Sequence, residues 1–203
     1  MGKFDYRQHP WFQKAPAAIT SKEIYIQKEV LSSFSKMRDA AVKEGIQLMI
    51  ISGTRNFNEQ KAIWERKWEK ESQVLKNPKD IALKILAYSS MPSTSRHHWG
   101  TDIDINSLEP SYFKSGKGLK EYTWLCANGP KYGFYQVYTS KKNGRTGYSE
   151  EHWHWSYLPL ASQYLEQYNQ LVKLEDIKGF KGSESAISID VIKNYVNGIE
   201  KYK

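Results

Sequence analysis

Cysteine is nearly absent from this chain: Cys126 is the single example in 203 residues. A lone thiol excludes an intramolecular disulfide framework and any cysteine-built zinc finger. Inside the run Tyr122-Thr-Trp-Leu-Cys126-Ala it is expected to be a buried structural thiol. Long apolar runs are missing as well. No stretch approaches the roughly 20 residues that a membrane-crossing helix needs, and the opening Met1-Gly-Lys-Phe-Asp5 has no apolar core of an export leader. Blocks of one charge are also lacking. The net charge is +8, but the lysines and arginines are dispersed, which fits a basic solvated surface better than a nucleic-acid-binding tract. With 39% apolar and 26% charged residues the composition is not that of a disordered chain, and the length suits one domain. Aromatic residues are plentiful. Seven Trp and fourteen Tyr suit either a packed core or a groove that handles polar polymers.

The order of periodic segments predicts an α+β fold, with a small central antiparallel sheet flanked by helices. Residues 1–20 carry two prolines and no clear period, and are expected to form a surface arm. A helix is expected from Ser21, its candidate cap, with Ile24, Ile26, Val30, Leu31, Phe34, Met37 and Ala41 near one face and Gly45 ending it. Gln47–Ile51 reads as a buried strand. A second helix is expected over about 58–75, and a short one over 81–88. Thr101-Asp-Ile-Asp-Ile105 alternates with period two, as a half-buried strand with both aspartates on one face. Another helix is expected over 119–128, strands over 132–138 and 153–157, and a polar turn over 141–147. From Leu158 onward a helical extension in two pieces is expected, broken around 178–182, so that 1–203 forms a single domain.

Four of the five histidines fall into two short clusters that also hold carboxylates. His97 and His98 precede Asp102 and Asp104; His152 and His154 follow Glu150 and Glu151. A catalytic zinc site takes three nitrogen or oxygen ligands from the protein and keeps a fourth position for water. Two mixed clusters from distant segments can supply such a set. Gly100 gives the permissive turn between loop and strand. Asp104 projects from the polar face, while Ile103 and Ile105 face the core. Glu151, three residues before His154, can sit beside a metal without ligating it, as a base for water must. Trp153 and Trp155 are expected to wall the site.

Ser95-x-His97-x-x-Gly100-x-x-x-Asp104, followed by Glu151-x-Trp153-His154, resembles the zinc D-Ala-D-Ala metallopeptidases of the VanY/VanX type, whose fold is shared with the Hedgehog signalling domain. The earlier Ser52-Gly53-Thr54-Arg55 with Gln60, and Tyr132-Gly133-Phe134, extend the likeness over residues 52–155. The resemblance implies Zn2+ on His97, Asp104 and His154, with Glu151 as general base. It implies that Arg55 stabilises an oxyanion or grips a substrate carboxylate, and that Ser95 and Gln60 hold the polar ends of a peptide. Asp102 departs from the family, which has a small residue there; it can bind a cationic group, rigidify the loop or face water. His98 and His152 are expected to be structural or substrate-facing, the rival being a His152/His154 ligand pair.

The implied activity is D-alanyl-D-alanine carboxypeptidase-like hydrolysis of peptidoglycan stem peptides. On the same site the alternatives are L,D-carboxypeptidase, D,D-dipeptidase and endopeptidase; from another class, a non-catalytic zinc-containing cell-wall binding module. The substrate implies the cell envelope, with an export signal missing from this sequence. No nucleic-acid partner and no membrane span are expected, and nothing in the sequence sets an oligomeric state beyond the expectation of a monomer.

Overall fold

The computed structural model describes residues 1–202, the side chain of Asn143 excepted. Its first elements are β1 (Phe12–Lys14) and β2 (Tyr25–Gln27), paired antiparallel with Gln13 opposite Ile26. Helix α1 follows at Lys28–Lys43. The helix therefore does not begin at Ser21. Residues two apart lie about 200° apart on a helix, so Ile24 and Ile26 can turn to one interior only as a strand; both are buried. The segment read as a surface arm supplies β1 and buries Tyr6, Phe12 and Ile19.

A second sheet carries β3 (Ile50–Ser52), β4 (Asp102–Ile105), β5 (Phe134–Tyr135) and β6 (His154–Tyr157), all antiparallel, in the order β3-β4-β6-β5. One face packs Ile50, Ile103, Ile105, Phe134 and Trp155 against Val30, Phe34 and Met37 of α1 and against Trp124 and Leu125 of α4 (Gly116–Asn128). A fully buried Phe34 makes Phe34→Ala a loss of about 3–5 kcal/mol. Cys126 lies on the outer side of α4 and is exposed, not buried as expected, because Glu121, Trp124 and Leu125 form the inward stripe. The strand expected over 132–138 shrinks to two residues. Gly129–Tyr132 winds into a 3-10 turn ended by Gly133 at φ 79°, and the Gln136 side chain turns inward to the carbonyls of Tyr138 and Glu151.

The other sheet face is polar. β4 is buried on both faces, not half-buried, since the Arg96–Trp99 turn folds onto that side and Arg96 bonds Asp102; α2 (Phe57–Glu71), α3 (Pro78–Ile85) and the C-terminal segment build a second apolar cluster. Helix α2 opens with a reciprocal cap between Asn56 and Glu59. Beyond β6 come α5 (Leu158–Leu171) and the short α6 (Ser185–Ile189). These tie back to the centre: Tyr168 donates to the Ser93 carbonyl at 3.0 Å, Trp64 to the Lys181 carbonyl at 2.8 Å. Among the described residues, no helix is long and apolar enough to cross a membrane.

Candidate metal centre

The polar face of β4 and β6 builds the site by register alone. Asp104 stands opposite His154 and Asp102 opposite Ser156, so period two brings two carboxylates, an imidazole and a hydroxyl to one surface. The same alternation sends Trp155 into the core beside Ile103, so it does not wall the site. Trp153 does line the cavity.

His97 arrives from the other side, on a 3-10 turn at Arg96–Trp99. Gly100 ends that turn at φ 69°, and a Cβ there would sit 2.3 Å from Cε1 of Phe12. Only glycine fits both demands. The ligand atoms of His97, Asp104 and His154 all lie within 4.8 Å of one another, each residue buried. His97 Nε2 is 3.5 Å from Asp104 Oδ2, and His154 Nδ1 is 3.2 Å from Asp104 Oδ1. Asp104 Oδ1 is buried, with the His154 ring nitrogen as its one close neighbour and no well-formed hydrogen bond. A carboxylate oxygen so placed inside a protein is costly unless a cation takes it.

Each imidazole is turned by a partner behind it. A carbonyl can only accept, so the 2.8 Å contact of His97 Nδ1 with Gly53 O fixes the proton on Nδ1 and frees Nε2. His154 Nε2 lies 2.9 Å from Asp102 Oδ2, which leaves Nδ1 as the atom that could hold a metal. Asp102 is in turn held by Arg96 Nε at 2.8 Å, Thr101 Oγ1 at 2.7 Å and Ser156 Oγ at 2.9 Å. The residue whose role the sequence left open is the carboxylate that orients His154, an arrangement frequent behind metal-binding histidines. It neither faces water nor awaits a cationic ligand.

Electrostatics agree with this geometry. Burial alone would raise Asp102, but the Arg96 charge and the His154 contact hold it well below the usual carboxylate range. Asp104 is likewise held low, burial being outweighed by His97 and His154. Burial would lower His154, yet its bonds to Asp102 and Asp104 raise it to about 9. His97 is lowered by burial and by the Arg55 charge, and is therefore neutral. Glu151 is raised to about 8, chiefly by burial. Its Oε2 lies 3.8 Å from His154 Nδ1, and its backbone N–H is pinned to the Tyr138 carbonyl at 2.9 Å.

His97, Asp104, Glu151 and His154 line a cavity of about 450 Å³. Arg55 and Ser95 line it, with Arg55 Nε and Ser95 Oγ buried and without hydrogen-bond partners. Gln60 does not line it. Its side-chain amide donates to the Ser90 carbonyl at 2.7 Å, and it is Ser90 that reaches the cavity. His98 is structural: Nδ1–H donates to the Arg55 carbonyl at 2.6 Å and Nε2 accepts from the Ser93 N–H at 3.1 Å. Burial drives it down to about 3, so it stays neutral. His152 turns away from His154 and stacks on Phe113 at 5.9 Å.

Residues 23–160 match the VanY family, D-alanyl-D-alanine carboxypeptidase. The chain belongs to that family. A D-alanyl-D-alanine carboxypeptidase of Enterococcus faecium is 28% identical over 186 residues, 91% of this chain and 52% of that protein. The chain spans about half the length of the curated relatives it matches. Among solved structures, VanYB in complex with D-alanine-D-alanine is 25% identical with a TM-score of 0.58, covering 79% of this chain and 91% of that one. The LdcB LD-carboxypeptidase is 25% identical with a TM-score of 0.62, covering 85% and 82%.

Within this VanY-family site, several residues escaped the sequence reading. Tyr138 lines the cavity and packs on the His154 ring, centroids 4.5 Å apart; no motif flags it. Arg96 lines the cavity too, its Nη1 unpartnered. Arg66 and Lys67 of α2 were legible in principle. They follow Ile63 by three and four positions, and all three line the cavity.

Proposed function

We propose that this chain is a zinc peptidase that removes the C-terminal D-alanine from peptidoglycan stem peptides, acting at the cell envelope. The observation that carries the reading is the buried trio His97, Asp104 and His154 with Glu151 beside it at the floor of an open cavity. Two imidazoles and one carboxylate fit the donor set of a catalytic zinc, which takes three protein ligands. When bound there, the ion would acidify water and polarise a carbonyl at the open end of the site.

The remaining work falls to the chain's own side chains. Glu151 accepts a proton from the attacking water and returns it to the departing nitrogen, a role open to a buried carboxyl that stands beside the trio. Arg55, with free N–H groups in the cavity wall, meets the oxyanion that develops or the carboxylate of the terminal residue. Ser95 offers an unengaged hydroxyl beside it. Gln60 acts one step back, by fixing the Ser90 backbone. Asp102 and Arg96 keep His154 aimed, and Gly53 does so for His97. A binding module would need neither the buried base nor the free arginine, and their presence together favours an enzyme.

Purified muropeptides digested by the zinc-loaded protein, with products identified by mass, test this reading. Loss of a single alanine from pentapeptide stems is expected. Release of a dipeptide, trimming of tetrapeptides alone, or cleavage inside the stem would reassign the chain to D,D-dipeptidase, L,D-carboxypeptidase or endopeptidase. No product would refute the peptidase reading for these substrates.

A further inference from the structure

Besides Arg96, which is paired with Asp102, three cations stand around the cavity: Arg55 at the entrance to α2, and Arg66 and Lys67 on the helix face that Ile63 begins. Among the described residues none of the three has a carboxylate within ion-pair distance. Lysines on other faces around α2 behave differently. Lys61 pairs with Glu65 at 3.9 Å, and Lys181 with Glu69 at 2.8 Å. The cavity-facing set is left without counter-ions while neighbours a turn away have them.

That grouping is unfavourable by itself. Lys67 is half-buried, and its ammonium is lowered first by desolvation, then by the Arg55 charge, with Glu151 opposing and Arg66 adding to the effect. Arg55 keeps a buried Nε without an acceptor. The carboxylates lining the cavity are Asp104 and Glu151, one committed to the metal trio and the other placed as its base. Like charges gathered in a cleft focus a field that draws anions. A peptide ending in alanine brings one carboxylate, which can satisfy Arg55 alone. The leaving residue has no other acidic group, so a second anion can come only from a residue before the scissile bond.

We propose, on the basis of the peptidase reading above, that Lys67 and Arg66 receive a second carboxylate from an acidic side chain upstream of the cleaved bond. The enzyme then prefers stem peptides whose acidic groups are free over those in which they are amidated.

The test uses two synthetic stem pentapeptides that differ at one upstream residue, carboxylate in one and carboxamide in the other, with the zinc-loaded protein. The carboxylate peptide should show a kcat/KM about tenfold higher, carried by KM, since an interaction equal in ground and transition states moves KM alone. The preference should shrink in high salt. Lys67→Met and Arg66→Gln should each reduce the ratio, and the double variant should bring it near one, with thermal melting checked for each. Equal kcat/KM for the two peptides, or a preference that survives in the double variant, overturns this proposal and leaves the peptidase reading intact. Cleavage of neither peptide overturns the peptidase reading, and this proposal with it.

Discussion

Replacing Glu151 by glutamine should make the metal-free protein more stable at neutral pH, although it removes the base. The carboxyl is buried and its pKa is raised from 4.5 to about 8, with desolvation as the largest cause. A group whose folded-state pKa is raised contributes stability that is complete below 4.5 and lost as pH rises through about 8. Each pH unit in that window is worth about 1.4 kcal/mol. The parent therefore loses about 3 kcal/mol by pH 7 and up to about 5 kcal/mol above pH 8, whereas glutamine at the same place does not titrate. Titrating groups remote from Glu151 are common to both proteins and cancel in the difference, and the coupled His154 stays charged below about 9, outside most of this window. For a chain of this size the pH 7 gap corresponds to roughly 6–12 °C in Tm. Thermal melts of chelator-treated parent and Glu151→Gln, from pH 4.5 to 8.5, would measure it. The two should melt together near pH 4.5 and separate steadily above it, and added zinc should narrow the gap by supplying a counter-charge. Superimposed curves across the whole range, or a less stable variant, would refute the placement of this carboxylate.

Further outcomes follow from the same geometry. Asp102→Asn should weaken metal binding by about 10–100-fold in competition with a chromophoric chelator, because His154 loses the partner that aims it; unchanged affinity would remove Asp102 from that role. Metal loading at pH 7 should release about two protons, one from His154 near 9 and one from Glu151 near 8. Glu151→Gln should release about one, and an indicator-dye titration that finds no difference would contradict the assignment. His154 must lose a proton to bind, so affinity should climb as pH rises toward 9 and then level off. Gly100→Ala should cost about 1–3 kcal/mol in denaturant unfolding, since it combines a positive φ with a clash on Phe12; a neutral result would mean the loop relaxes freely.

Much of the site was legible because it rests on short-range patterns. Period two in Asp102–Ile105 put both aspartates on one face, and the short spacing of Glu151 from His154 put that carboxylate beside the imidazole. The family motifs supplied the pairing of segments, which periodicity cannot. What stayed hidden depends on contacts between distant residues. Asp102 became intelligible only when β4 met β6 and Arg96 folded onto it. Tyr138 reaches the cavity through a chain reversal that no local signal encodes. Ser21 looked like a helix cap because Val30 onward is helical; the strand before it was masked by apolar residues that suit either period. Gln60 sits in a recognised motif yet bonds the Ser90 backbone and stays out of the cavity, a distinction that needs coordinates.

The most direct test of the account is a zinc titration of the metal-free protein, following alanine release from a stem pentapeptide. Activity should rise linearly and saturate at one zinc per chain, and vanish in His154→Ala and in Glu151→Gln, the latter still binding its zinc. Release of alanine by the chelated protein, or full activity in Glu151→Gln, would contradict it.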